Sequence, residues 1–69
     1  MVIMYYTYIL FSEKTNNFYV GHTGNLIERI SRHNAKREKY TSAGAPWILL
    51  WSTAKNTRSE SMALEKKII

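Results

Sequence analysis

With 69 residues the chain is long enough for one domain only, and so short a chain buries little surface. It has no cysteine, which excludes disulfides and thiolate metal sites and fits a reducing cytoplasm. Ten basic residues against five acidic ones give a net charge of +5, which points to an anionic partner: nucleic acid first, an acidic membrane surface second, plain solubility as the bland alternative.

Hydrophobic residues make up 45% of the chain and aromatic ones 13%, a composition for a folded domain and not for a disordered segment. No run approaches the roughly 20 apolar residues of a membrane span. The opening Met-Val-Ile-Met-Tyr-Tyr-Thr-Tyr has no basic leader and no small-residue cleavage site, so no secretory signal is expected. There is no repeat, low-complexity run or Gly/Ser linker.

Val2 to Phe11 is rich in β-branched and aromatic residues on both faces, which predicts a central, doubly covered strand. Ser12 to Asn17 is polar turn material, and Phe18 to His22 follows as a short second strand. A link this short predicts a hairpin, since parallel strands need a longer crossover. Thr23 or Asn25 caps a helix that carries Leu26, Ile27 and Ile30 as its apolar stripe and ends near Ala35. Lys36 to Ala45 is a basic, polar loop, with Gly44 and Pro46 marking a break. Trp47 to Ser52 predicts a third strand, buried and apolar, and Ala54 to Asn56 a turn. Thr57 or Ser59 then caps a second helix running to Ile69. The expected fold is α+β, a small three-stranded antiparallel sheet flanked by helices in the order β-β-α-β-α.

Polar residues that break this pattern carry the functional information. On the last helix, at about 100° per residue, Glu65 falls inside the arc formed by Met62, Leu64, Ile68 and Ile69. A carboxylate on a packed face needs an arginine, a metal ion or a wet cleft, unless the helix end frays and leaves it solvated. On the first helix Arg29 and His33 stand one turn apart on the flank of the stripe, where a side chain can reach a cleft while its stem packs. Tyr19 and Gly21 share a face of their strand, and Gly21 allows a bend or a close approach.

Together these residues resemble the GIY-YIG nuclease superfamily. Tyr6-Thr7-Tyr8 stands in the first motif slot and Tyr19-Val20-Gly21 in the second, followed by Arg29, His33 and Glu65. Phe18 to Thr23, Lys39-Tyr40-Thr41 and Pro46-Trp47 are especially like the short stand-alone bacterial members related to the excision-repair nuclease catalytic domain, the URI type. The resemblance covers nearly the whole chain. It implies a single GIY-YIG-like nuclease domain over residues 1–69 that cuts DNA, duplex or branched, in repair or recombination. It implies Tyr8, Tyr19, His22, Arg29, His33 and Glu65 as catalytic, with Glu65 holding one Mg²⁺ or Mn²⁺ ion. The implied setting is cytoplasmic and free of membrane, in a homodimer or a larger repair assembly. Two departures stand out. Tyr6 replaces the glycine of the first motif, and the helix of Glu65 is shorter than in relatives, which continue into a lysine-rich tail. On that comparison the domain is truncated at its C-terminus or its site is less complete.

The chemistry fits these residues on its own terms. Phosphodiester hydrolysis needs a deprotonated water, charge neutralisation on the phosphate and help for the leaving oxygen. One carboxylate suits Mg²⁺, which keeps most of its waters. An arginine grips phosphate oxygens with two parallel donors. A tyrosine ordinarily ionises near pH 10, so Tyr19 as base needs a cation nearby, whereas His22 can act as base or relay near neutrality. Beyond the site, Arg32, Lys36, Arg37, Lys39 and Tyr40 form a basic stretch with one aromatic, suited to a phosphate backbone and a stacked base. The same stretch is otherwise an ordinary solvated loop. An inactive nucleic-acid-binding module of the same fold and a protein-interaction domain using exposed aromatics are the competing readings.

Overall fold

The computed structural model of the protein describes residues 4–69. Strand β1 (Tyr5–Ser12) and strand β2 (Asn17–Thr23) form an antiparallel hairpin, helix α1 (Leu26–Asn34) follows, and a short 3₁₀ turn spans Ser42–Gly44. Strand β3 (Ile48–Lys55) and helix α2 (Arg58–Ile68) complete the chain. The sheet order is β2-β1-β3 with both pairings antiparallel, which is the α+β, β-β-α-β-α architecture that the sequence predicts. The expected start of β1 at Val2 falls outside the described residues.

β1 is central, as a strand with two covered faces should be, and side-chain alternation sends its residues to opposite helices. Thr7, fully buried, donates its hydroxyl to the carbonyl of Ser61 on α2 (2.8 Å). Its neighbour Tyr8, also fully buried, meets His33 of α1. The two helices therefore cover opposite faces of the sheet. On the α1 side Tyr8, Leu10, Ala45 and Trp47 form the core, with Tyr19, Leu26 and Ile30 packed against it.

Caps fix where each helix begins. The Asn25 side chain accepts the Glu28 amide and that of Thr57 accepts the Glu60 amide, so these two, and neither Thr23 nor Ser59, are the N-caps. The end of α1 is a Schellman turn: the Arg37 amide donates to the Arg32 carbonyl and the Lys36 amide to the His33 carbonyl, with Lys36 at φ 62°.

Three expectations about faces are corrected. Ile27 is 84% exposed, and the inward side of α1 is made by Leu26, Ile30 and the buried His33. On α2 the packed side centres on Ser61, fully buried, with Leu64 and Glu65 half-buried beside it, while Met62, Ile68 and Ile69 of the expected arc are exposed. The third strand begins at Ile48 and runs to Lys55, into the turn expected at Ala54 to Asn56, and it is an exposed edge: Ile48, Leu49, Leu50 and Trp51 all retain substantial solvent contact. A bulge at Leu50, the extra residue between the Ile9–Trp51 and Leu10–Leu49 pairs, re-aims the strand.

Candidate active site

β2 is the free edge of the sheet opposite β3, and the candidate residues gather around it. Gly21 lies opposite Tyr8 in the hairpin register, and Leu10 lies opposite Tyr19. A β-carbon on Gly21 would sit 2.6 Å from the Tyr8 hydroxyl oxygen and 2.9 Å from a ring carbon of Tyr19. Glycine here permits a close approach of the hydroxyl end of the Tyr8 ring to the strand. The rings of Tyr8 and Tyr19 are 6.3 Å apart between centroids, and His33 stands 6.0 Å from Tyr8 and 5.0 Å from Tyr19. Trp47 closes the group, its ring 6.4 Å from that of Tyr19.

Inside this cluster the polar atoms are paired. The Tyr8 hydroxyl meets His33 Nε2 at 3.1 Å, and His33 Nδ1 meets the Thr41 hydroxyl at 2.7 Å. The Trp47 indole N–H donates to the Thr41 carbonyl (2.8 Å), and the Asn34 side chain brackets the Trp47 backbone, accepting its amide and donating to its carbonyl. These contacts turn the irregular stretch after α1 into a wall of the site.

His22 points to the other face, as alternation from Tyr19 and Gly21 requires. There its Nδ1–H donates to Glu65 Oε1 on α2 (2.7 Å), both side chains keeping about a quarter of their surface in solvent. The glutamate thus finds its partner in a histidine, and the pair stays wet. Among the described residues no cluster of three or more His, Cys, Asp or Glu exists, so Glu65 offers a cation a single carboxylate.

Charge links the two faces. Burial raises the Tyr19 pKa above its ordinary value, the Glu65 carboxylate raises it further, and the Arg29 guanidinium opposes both. Burial likewise raises the Tyr8 pKa, with Arg29 again opposing. The His33 pKa is lowered, first by burial and then by Arg29 and Arg32, against an upward pull from Glu38. Arg29 therefore lies where its charge reaches all three rings, and Tyr19 is the ring that also feels Glu65.

Tyr8, Tyr19, Arg29 and His33 come together on one face, and His22 with Glu65 on the other, around the β2 edge. Tyr8 is fully buried with its hydroxyl turned to His33, so it is Tyr19, half-buried, that borders solvent. Beside Tyr19 opens a cleft of about 260 Å³ lined by Asn17, Phe18, Tyr40, Thr41 and Trp47, among others. A larger surface cleft, about 820 Å³, lies on the outer side of α1 and takes in Ile27, Ser31, Arg32 and Arg37. Lys36, Arg37 and Lys39 are exposed and Tyr40 is 95% exposed, whereas Arg32 is engaged by Glu38 at 3.1 Å. Thr41, Asn34 and Trp47 escape the sequence reading as site-building residues. Their bonds cross an irregular loop in which no periodicity signals a buried threonine.

Known proteins similar to this chain fall in one family. The family described as "GIY-YIG catalytic domain" matches residues 4–69. UPF0213 protein SH2523 of Staphylococcus haemolyticus (strain JCSC1435) is 38% identical over 65 residues, covering 93% of this chain and 78% of that protein. UPF0213 protein YazA of Bacillus subtilis (strain 168) is 36% identical over 53 residues, 75% of this chain and 54% of its own length. The solution NMR structure of UPF0213 protein BH0048 from Bacillus halodurans superposes with a TM-score of 0.57 at 28% identity, covering 96% of this chain and 70% of that one.

Proposed function

Because the chain belongs to the GIY-YIG family of nuclease domains, we propose that it is a divalent-metal-dependent endonuclease hydrolysing DNA phosphodiester bonds. The observation that carries this reading is the position of Tyr19. It borders solvent at a strand edge, with the Arg29 cation on one side and the Glu65 carboxylate on the other. Few structural roles need opposed charges around a half-buried phenol, whereas phosphoryl chemistry needs a base, a cationic grip and a metal carboxylate close together.

Each residue then has a task. Tyr19 first gives up its phenolic proton to solvent and, as the phenolate, takes the proton of the attacking water, while Arg29 grips the non-bridging phosphate oxygens. Glu65 fixes the His22 ring by accepting its Nδ1–H, which leaves Nε2 free to receive the proton as base or relay, much as a carboxylate orients the histidine of a hydrolase. His33 and Tyr8 form the buried floor that holds Tyr19 and Arg29 in place. A divalent cation fits Glu65: the carboxylate is accessible, one of its oxygens is not engaged by His22, and a lone carboxylate with water is what Mg²⁺ or Mn²⁺ accepts. When bound, such an ion supplies positive charge for the leaving oxygen. Its charge would also offset that of the carboxylate, which opposes ionisation of Tyr19.

The exposed Lys36, Arg37, Lys39 and Tyr40 supply the contact to the phosphate backbone, with a cytoplasmic role in repair or recombination as the setting that the resemblance implies. The burial of Tyr8 favours a second reading, a binding module of the same fold that cuts slowly or not at all. A nicking assay on supercoiled DNA with Mg²⁺ or Mn²⁺ separates the two. Cutting that disappears in Tyr19→Phe and in Glu65→Ala supports the nuclease, and full activity in Tyr19→Phe removes Tyr19 as base.

A further inference from the structure

We propose that Thr41 is a positioning residue whose hydroxyl holds His33 in its Nδ1–H form, so that Nε2 receives the phenolic proton of Tyr8. The consequence for catalysis rests on the nuclease reading above, while the proton arrangement itself does not.

Donors and acceptors have to match one another in a place closed to water. Tyr8 is fully buried, His33 is 1% exposed and Thr41 is 2% exposed. A neutral imidazole carries one N–H and one bare nitrogen, so two arrangements are open to the chain Thr41–His33–Tyr8. In the first, Nδ1–H donates to the Thr41 oxygen (2.7 Å) and Nε2 accepts the Tyr8 proton (3.1 Å). In the second, the Thr41 hydroxyl donates to Nδ1 and Nε2–H donates to the Tyr8 oxygen.

The second arrangement leaves the Tyr8 proton without an acceptor. Its hydroxyl has His33 as its hydrogen-bond partner, and Arg29, the charged neighbour, has only donors to offer. The first arrangement leaves nothing stranded. The Thr41 hydroxyl, relieved of donating to His33, turns to the Glu38 carbonyl of its own turn (3.4 Å), a long bond but an acceptor nonetheless. A buried donor without a partner is the costlier fault, so the first arrangement prevails.

Thr41 is built to impose this choice. Its amide donates to the same Glu38 carbonyl (3.2 Å), and its own carbonyl accepts the Trp47 indole N–H (2.8 Å). Backbone and side chain are thus clamped on both sides of the hydroxyl. With the Tyr8 proton directed inward to His33, the lone pairs of the Tyr8 oxygen remain available to the Arg29 guanidinium. That ties the arginine that grips phosphate to a threonine outside the two tyrosine motifs, acting through His33 and Tyr8.

The test is the tautomer, read by long-range ¹H–¹⁵N correlation of the His33 ring in the whole protein. Wild type and Thr41→Ser, which keeps the hydroxyl, should both show the proton on Nδ1. Thr41→Val, nearly the same shape without the hydroxyl, strands the Nδ1–H, so that either tautomer now leaves one buried donor unpaired; the ring should lose its preference and populate the Nε2–H form beside the Nδ1–H form. A proton on Nε2 in wild type overturns the proposal, and so does an unchanged Nδ1–H ring in Thr41→Val. A role in loop stability alone would lower the melting temperature of Thr41→Val but leave the tautomer as it was. In the nicking assay Thr41→Val should lose at least about tenfold while Thr41→Ser keeps most of its rate. A wild type that shows the Nδ1–H ring yet cuts nothing supports the Thr41 assignment and refutes the nuclease reading instead.

Discussion

Gly21 shows how one missing β-carbon shapes the site. With 2.6 Å from that position to the Tyr8 hydroxyl and 2.8 Å to the ring carbon that bears it, an alanine must push the ring aside. Gly21→Ala should cost about 1–3 kcal/mol, as overpacking does, and detach Tyr8 from His33; a melt and the His33 ring resonances check it. His33 makes stability depend on pH. Its folded pKa lies below the ordinary value near 6.5, so in acid the unfolded chain takes up a proton that the folded one resists. The stability this supplies is complete above about pH 6.5 and lost as pH falls through the folded value. Melts from neutral to acidic pH should show the melting temperature falling along this limb, and His33→Phe should flatten it. Lys36 holds a left-handed conformation in the position where helices usually place glycine. Keeping a lysine there costs stability, which agrees with a use for its charge. Lys36→Gly should raise stability by about 0.5–1 kcal/mol and lower DNA affinity, with the salt slope shallower by about one.

At the scale of elements, what was legible followed periodicity and caps. The polar stretch before Asn17, the caps at Asn25 and Thr57 and the alternation that puts Tyr19 and Gly21 on one face are all local chemistry, and they give the sheet and both helices. The facing of α2 was not legible in the same way. Ser61 is its most buried residue because a small side chain lets the backbone carbonyl reach Thr7, and a hydropathy pattern scores that serine as solvent-facing. Glu65 lies on the packed side all the same, one turn on from Ser61, and its partner His22 is 43 residues away in sequence, beyond any periodic signal. The same helix depends on its cap. Thr57→Ala removes the acceptor for the Glu60 amide and should cost about 1 kcal/mol. In a domain of this size that lowers the melting temperature by roughly 4–8 °C, measurable by calorimetry or circular dichroism.

For the molecule as a whole, the least legible feature was the third strand. An unbroken apolar run reads as a buried strand, and β1 and β3 both carry one, although a three-stranded sheet has a single central place. Here β1, with Tyr8 and Leu10 fully buried, takes the centre, and Ile48 to Trp51 is left as an edge with apolar side chains in solvent. The opposite edge, β2, carries the proposed site: the sheet order leaves it without a neighbour on one side, α1 brings Arg29 and His33 to one face, and α2 brings Glu65 to the other. No helix among the described residues is long and apolar enough to cross a membrane, and the net charge of +5 favours a polyanion. The central claim, a metal-dependent nuclease built around Tyr19 and Glu65, is tested most directly by nicking of supercoiled DNA with Mg²⁺ or Mn²⁺, wild type against Glu65→Gln. The account predicts nicking that needs the metal and falls at least about a hundredfold in Glu65→Gln, with the fold intact by circular dichroism. Equal nicking by Glu65→Gln, or nicking unaffected by chelator, would contradict it.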